Sequence, residues 1–184
     1  AMKGAARYLL GKTAGGNNIA TLDLAGTRNN LGTPKNVIIL ETDGRPEELW
    51  NSAASAKTLD NDYDVASTTG STACQNLIDI AQLAKNAGIL VITIGHGNAN
   101  TFTCNTNGTG SKVRDVLAKS ASPTAAGAAS VAGTCGTQAQ IDAENADGDW
   151  YFCAADGDDL AGVFLTAMGS ISGHGRLMNL PGIT

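Results

Sequence analysis

Val37-Ile38-Ile39-Leu40-Glu41-Thr42-Asp43-Gly44 is the stretch on which the fold turns. Four consecutive aliphatic residues, approached from Pro34 and left at Asp43-Gly44, have no polar alternation. A run of this kind reads as a strand covered on both faces, which is the signature of a central strand in a parallel sheet. Covering both faces requires helices, and a helical stripe follows. From Ser71 onward, Leu77, Ile78, Ile80, Ala81, Leu83 and Ala84 recur at helical spacing, with Ser71 or Thr72 as the expected N-cap and Gly88 in the position of a C-terminal cap. Ile89-Leu90-Val91-Ile92-Thr93-Ile94 is a second apolar run directly after it. Strand, helix and strand in this order predict a right-handed crossover joining two parallel strands.

Outward from this unit the pattern weakens and then returns. Ala5, Ala6, Leu9 and Leu10 predict a helix that Gly11 stops. Residues 14–35 read as a long excursion in which Ile19 to Leu24 alternates like an edge hairpin. Residues 45–70 read as a polar surface excursion containing Trp50 and the acidic patch Asp60 to Asp64. Residues 98–148 form a third excursion, with one amphipathic helix around Lys112 to Ser120 and an Ala-rich, low-complexity stretch from Thr124 to Gly133. Trp150 to Ala155 has the aromatic weight of a third strand. Asp158-Asp159 then opens a last helix carrying Leu160, Val163, Phe164, Ala167, Met168 and Ile171. The expectation is one α/β domain over residues 1–184, a three-layer, Rossmann-like and mostly parallel sheet.

Composition fits this and limits function. A chain of 184 residues is long enough to bury about 70% of the surface its unfolded form exposes. With 12 Lys and Arg against 17 Asp and Glu, and no basic run, there is no footprint for nucleic acid or anionic lipid. No stretch reaches the roughly 20 apolar residues of a spanning helix, and the first residues lack the apolar core of a signal peptide. Cys74, Cys104, Cys135 and Cys153 are spaced too widely for a paired zinc motif, so two disulfides in an oxidising compartment are expected. Of the three possible connectivities the favoured one joins Cys104 to Cys135, closing the long excursion, and Cys74 to Cys153.

The order of motifs resembles the latter half of a von Willebrand factor A domain. The resemblance is carried by Val37 to Pro46 with its Thr42-Asp43-Gly44 turn, by Ala87 to Gly95, and by Asp159-Leu160-Ala161-Gly162-Val163-Phe164. The cysteine opening the middle helix and the aromatic strand before the last one are most similar to the A-type domains of bacterial tight-adherence pilus assembly proteins of the TadG kind. The resemblance implies an extracellular or cell-envelope protein-binding or adhesion module whose ligand is a protein or a pilus component. It also implies a divalent ion, Mg²⁺ or Mn²⁺, at the C-terminal edge of the sheet, with Asp43 and Thr42 as the matching metal residues. Loops beyond the carboxyl ends of parallel strands converge on a common crevice, which supports the same location.

This sequence departs from the family pattern at one point. The strand bearing Asp-x-Ser-x-Ser is absent, and the family's metal-binding threonine falls upstream of Ala1. One carboxylate does not satisfy an octahedral ion, so the ion is expected of the complete domain rather than of this chain. The same gap leaves the edge from Val37 to Thr42 without a neighbour, which predicts a homodimer, a strand swap or a partner segment. A competing reading is a structural or oligomerisation fragment with a vestigial ligand edge.

Other motifs carry less. Asp60, Asp62 and Asp64 open like a calcium loop, but Val65 and Ser71 replace its glycine and closing glutamate. Glu144, Asp147, Asp149, Asp156, Asp158 and Asp159 read as a second solvated acidic region, with the last two at a helix start. Gly11-Lys12-Thr13 follows a helix rather than a strand and is no phosphate loop. His96 and His174 lack a nucleophile elbow, so no enzyme is expected. Asn107-Gly108-Thr109 is a glycosylation sequon.

Overall fold

The computed structural model describes residues 2–10, 36–50, 59, 65–67, 70–124 and 126–172. In chain order these form α1 (Met2–Leu9), β1 (Val37–Thr42), β2 (Glu48–Trp50), β3 (Val65–Ser67), α2 (Ser71–Asn86), β4 (Leu90–His96), a 3₁₀ turn (Gly97–Asn100), α3 (Val113–Ser120), α4 (Gln138–Glu144), β5 (Tyr151–Ala154) and α5 (Leu160–Ser172). The main sheet is parallel with order β1-β4-β5, and β2 pairs with β3 as a separate antiparallel ribbon. The expected hairpin at Ile19 to Leu24 and the acidic residues Asp60 to Asp64 lie outside the described residues.

Side-chain alternation along the three strands produces three layers. Ile38, Val91, Tyr151 and Cys153 point to the face covered by α1, α2, α3 and α4, while Ile92, Ile94, Phe152 and Ala154 point to α5 through Val163 and Ala167. Ile92 and Ile94 are fully buried, and each stabilises the fold by about 1.5–3 kcal/mol relative to exposure. Thr93 is the polar exception in β4. It is also fully buried, and its hydroxyl donates to the Leu117 carbonyl of α3 at 2.9 Å, which removes the cost of an unpaired buried oxygen.

The α2–β4 connection is legible in backbone detail. Gly88 takes φ +81°, its N–H reaches the Lys85 carbonyl, and the Ile89 N–H reaches Ala84. This paired closure is the Schellman stop, which needs a residue tolerant of positive φ. The other end of α2 differs from expectation. Neither Ser71 nor Thr72 caps it; Gly70 occupies the cap position at φ +74° with no side chain to offer. The acceptor comes from 34 residues downstream, where Asn105 Oδ1 takes the Ser71 N–H at 3.0 Å.

The excursions hold more structure than their composition indicates. Residues 45–70 contain the β2–β3 ribbon, and residues 98–148 contain α4 besides α3. α4 begins with a capping box: Thr137 Oγ1 accepts from Gln140 N, and Gln140 Oε1 accepts from Thr137 N. The Ala-rich stretch is anchored by serines. Ser122 N donates to the Val91 carbonyl at 2.8 Å, Val91 N donates to Ser122 Oγ at 2.9 Å, and Ser130 Oγ donates back to Ser122 O while accepting from Trp150 N. Ser122 thereby occupies the place beside β4 that β5 fills further along.

The two edges of the main sheet are finished differently. Along β5, Asn145 uses its side-chain amide as a strand would use its backbone, accepting from Cys153 N at 2.9 Å and donating to Cys153 O at 2.8 Å. Asp149 Oδ1 takes the Tyr151 N–H. Beyond β1 no strand lies among the described residues. Among the same residues no helix is long and apolar enough to cross a membrane.

Candidate functional site

The register Thr42↔Gly95 brings the turn after β1 and the turn after β4 to one edge of the sheet. Thr42 Oγ1 is engaged within its own turn, accepting from Gly44 N at 3.2 Å and donating to Gly44 O. Asp43 beside it is exposed. Glu41 and His96, both at the C-terminal ends of neighbouring parallel strands, form a close carboxylate–imidazole contact.

Residues 97–112 hang over this edge and are fastened at several points. Cys104 is bonded to Cys74 in the first turn of α2, and Cys104 N donates to Ser111 O at 2.8 Å. Arg45, just past the Asp43 turn, donates from Nε to the Thr103 carbonyl at 2.6 Å and lays its guanidinium 3.9 Å from the Phe102 ring centroid. Cation–π contacts of this kind hold both partners in place. Asn105 completes the attachment through the α2 N-terminus. Its carboxamide is wrapped closely: a Cβ added at Gly70 would fall 2.5 Å from Oδ1, and one at Gly110 3.1 Å from Nδ2.

The disulfides are Cys74–Cys104 and Cys135–Cys153. This corrects the expected pairing of Cys104 with Cys135 and Cys74 with Cys153. The physical reason is that α2 starts beside the loop leaving β4, whereas Cys135 enters α4, which packs on β5. Both bonds join near neighbours in space, and no described cysteine is free.

At this edge the donor set for a divalent ion is incomplete. Among the described residues, His, Cys, Asp or Glu ligand atoms gather in threes in one place, Glu144 with Asp147 and Asp149, and Asp43 is not part of it. Thr42 spends its hydroxyl on its own turn. The residues present do not fit an octahedral Mg²⁺ or Mn²⁺ at Asp43.

Of the six acidic residues read from sequence as a solvated region, Asp147, Asp156, Asp158 and Asp159 are exposed, and the structure corrects the reading for Glu144 and Asp149. Glu144 is 5% exposed and Asp149 8%, with Asp147 on the surface. Their ligand oxygens lie within 4.8 Å of one another. Glu144 Oε2 accepts from Gly133 N at 2.6 Å, in a cradle so close that a Cβ on Gly133 would overlap it. Asp149 takes the N–H groups of Tyr151 and Val131 at 2.7 and 2.8 Å. Glu144 Oε1 is buried with no hydrogen-bond partner. Burial, opposed by the Gly133 N–H and reinforced by the neighbouring aspartates, pushes the Glu144 carboxyl up to about 7, and burial also raises Asp149.

Sequence reasoning missed this group because acidic residues in a polar stretch default to solvent. The available signal was Trp150-Tyr151-Phe152 directly downstream, since a fully buried strand draws its preceding turn inward. Comparison of the chain with protein-family models, with curated proteins and with solved structures returned no match.

Proposed function

We propose that this chain is a protein-binding module of the von Willebrand factor A type. It works in the cell envelope or outside the cell, engaging a protein or pilus component on the C-terminal edge of the β1–β4 pair. The supporting observation is the attachment of residues 97–112 there: Cys74–Cys104, Asn105 on α2 and Arg45 on Thr103 and Phe102 hold a loop whose Asn107 and Thr109 remain exposed, beside exposed Asp43. A loop ordered before contact lowers the entropy cost of association. Two disulfides in a domain of this size favour an oxidising compartment. In this reading Asp43 acts as a surface carboxylate in the contact, without a metal ion, and no residue acts as a catalyst.

The test is surface plasmon resonance of purified pilus and envelope fractions over wild type, Asp43→Ala and Arg45→Ala, with and without EDTA. The expected result is binding indifferent to EDTA and weakened about tenfold by either substitution, the effect of a contact worth about 1.4 kcal/mol. Binding unchanged in both variants would remove the edge from consideration.

A second reading, an assembly fragment with a vestigial edge, is favoured by the flank of β1, which has no strand beside it among the described residues, and by Leu165 and Met168, 75% and 48% exposed on α5. Light scattering separates the two: a concentration-dependent dimer supports assembly, and a monomer at high concentration removes it.

A further inference from the structure

We propose that Glu144, Asp147 and Asp149 form a binding site for a hard divalent cation of the calcium class at the start of β5. This inference stands apart from the edge described above and does not depend on it.

Two observations carry it. The first is the placement of three carboxylates with ligand oxygens within 4.8 Å of one another, two of them on buried residues. The second is Glu144 Oε1, an oxygen on a residue 95% removed from solvent, for which no donor is present. Its twin Oε2 is taken by Gly133 N, so the carboxylate is held in one orientation with one lone oxygen over. Among the described residues none of the three has an ion-pair partner. Arg114, the nearby guanidinium, favours the charged form of Glu144 from a distance, but its Nε is unbonded and the carboxylate within ion-pair range of it is Asp115, at 3.8 Å.

Burying like charges this close with no ion pair to any of them is unfavourable, and a cation converts the same arrangement into a favourable one. The donors are all oxygen, which excludes soft, thiolate-seeking ions. The amide N–H groups of Gly133, Val131, Tyr151 and Asp149 hold the three carboxylates through the backbone, with no arrangement dedicated to six regular positions required. Calcium accepts variable geometry and six to eight oxygens, whereas magnesium demands a regular octahedron. Bound here, the ion would join the end of α4, the 131–133 segment and the outer edge of β5.

Trp150, adjacent to Asp149, supplies a direct readout. Terbium, which replaces calcium at oxygen sites, is titrated into the full chain with indole excitation and then displaced with Ca²⁺. Saturable luminescence is expected in wild type and in Asp43→Asn, with loss of at least about tenfold in affinity for Asp147→Asn and Glu144→Gln. Trp150→Phe should abolish the signal while calcium still raises the thermal midpoint. Because Asp147 is exposed, its variant tests the site even where Glu144→Gln fails to fold. Absence of saturable luminescence, or equal affinity in wild type and Asp147→Asn, would overturn the proposal.

Discussion

Replacing Asn105 with Ala should loosen the candidate binding edge by uncapping a helix 34 residues earlier in the chain. Asn105 Oδ1 accepts from both Ser71 N and Ser71 Oγ, at 3.0 and 3.2 Å, and Nδ2 donates to Thr109 Oγ1 at 2.9 Å. Removing an N-cap acceptor costs about 0.5–2 kcal/mol. Ser71 is exposed, so water replaces part of the loss and the expected value is about 1 kcal/mol, equal to about 2–4 °C in melting temperature for a chain of this size. Asn105→Asp keeps the acceptor and adds a charge of the sign favoured at a helix N-terminus, so it should fold with stability close to wild type. Urea denaturation of the three proteins measures the ordering, and amide exchange should quicken at Ser71 to Ala73 in the Ala variant alone. An Ala variant as stable as wild type, or an Asp variant as damaged as Ala, would refute the long-range cap.

Two further outcomes follow from the same geometry. Cys74→Ala with Cys104→Ala opens a link of sequence separation 30, for which chain entropy gives a loss of roughly 3.6 kcal/mol; a loss below about 1 kcal/mol in urea denaturation would show that the reduced chain stays constrained there. Glu144, raised from 4.5 to about 7 by burial, favours folding in its protonated form. Its contribution is therefore full below pH 4.5 and is lost as pH rises through about 7. Melting in EDTA should show this decline in wild type and a flatter profile in Glu144→Gln; parallel profiles would contradict it.

The layers of the sheet were readable because burial on two faces leaves no polar alternation: Val37 to Leu40 and Ile89 to Ile94 announce β1 and β4, and the stripe from Leu77 to Ala84 announces α2. α4 announced itself less clearly, since Gln138 to Glu144 has little apolar content, yet Thr137 and Gln140 spell its capping box. What sequence could not supply was anything decided by proximity. Asn105 as the cap of α2, the partners of the four cysteines and the burial of Glu144 depend on which loop lies over which helix. At Asp43 the motif was legible, but its turn uses Thr42 internally, so the identity of the residues outran their chemistry.

The unequal finish of the sheet also sets how copies can associate. Asn145 already fills the hydrogen-bonding positions at Cys153, so β5 offers an incoming strand little to pair with. In the main sheet, among the described residues, β1 is the edge that keeps an open side. Strand addition between two copies through β1 uses up both of these sides and ends in a closed pair. Edge-to-edge growth through β5 would first require both Asn145 and Asp149 to release Cys153 and Tyr151, so Asn145→Ala removes one of the two blocks that keep the contact self-limiting.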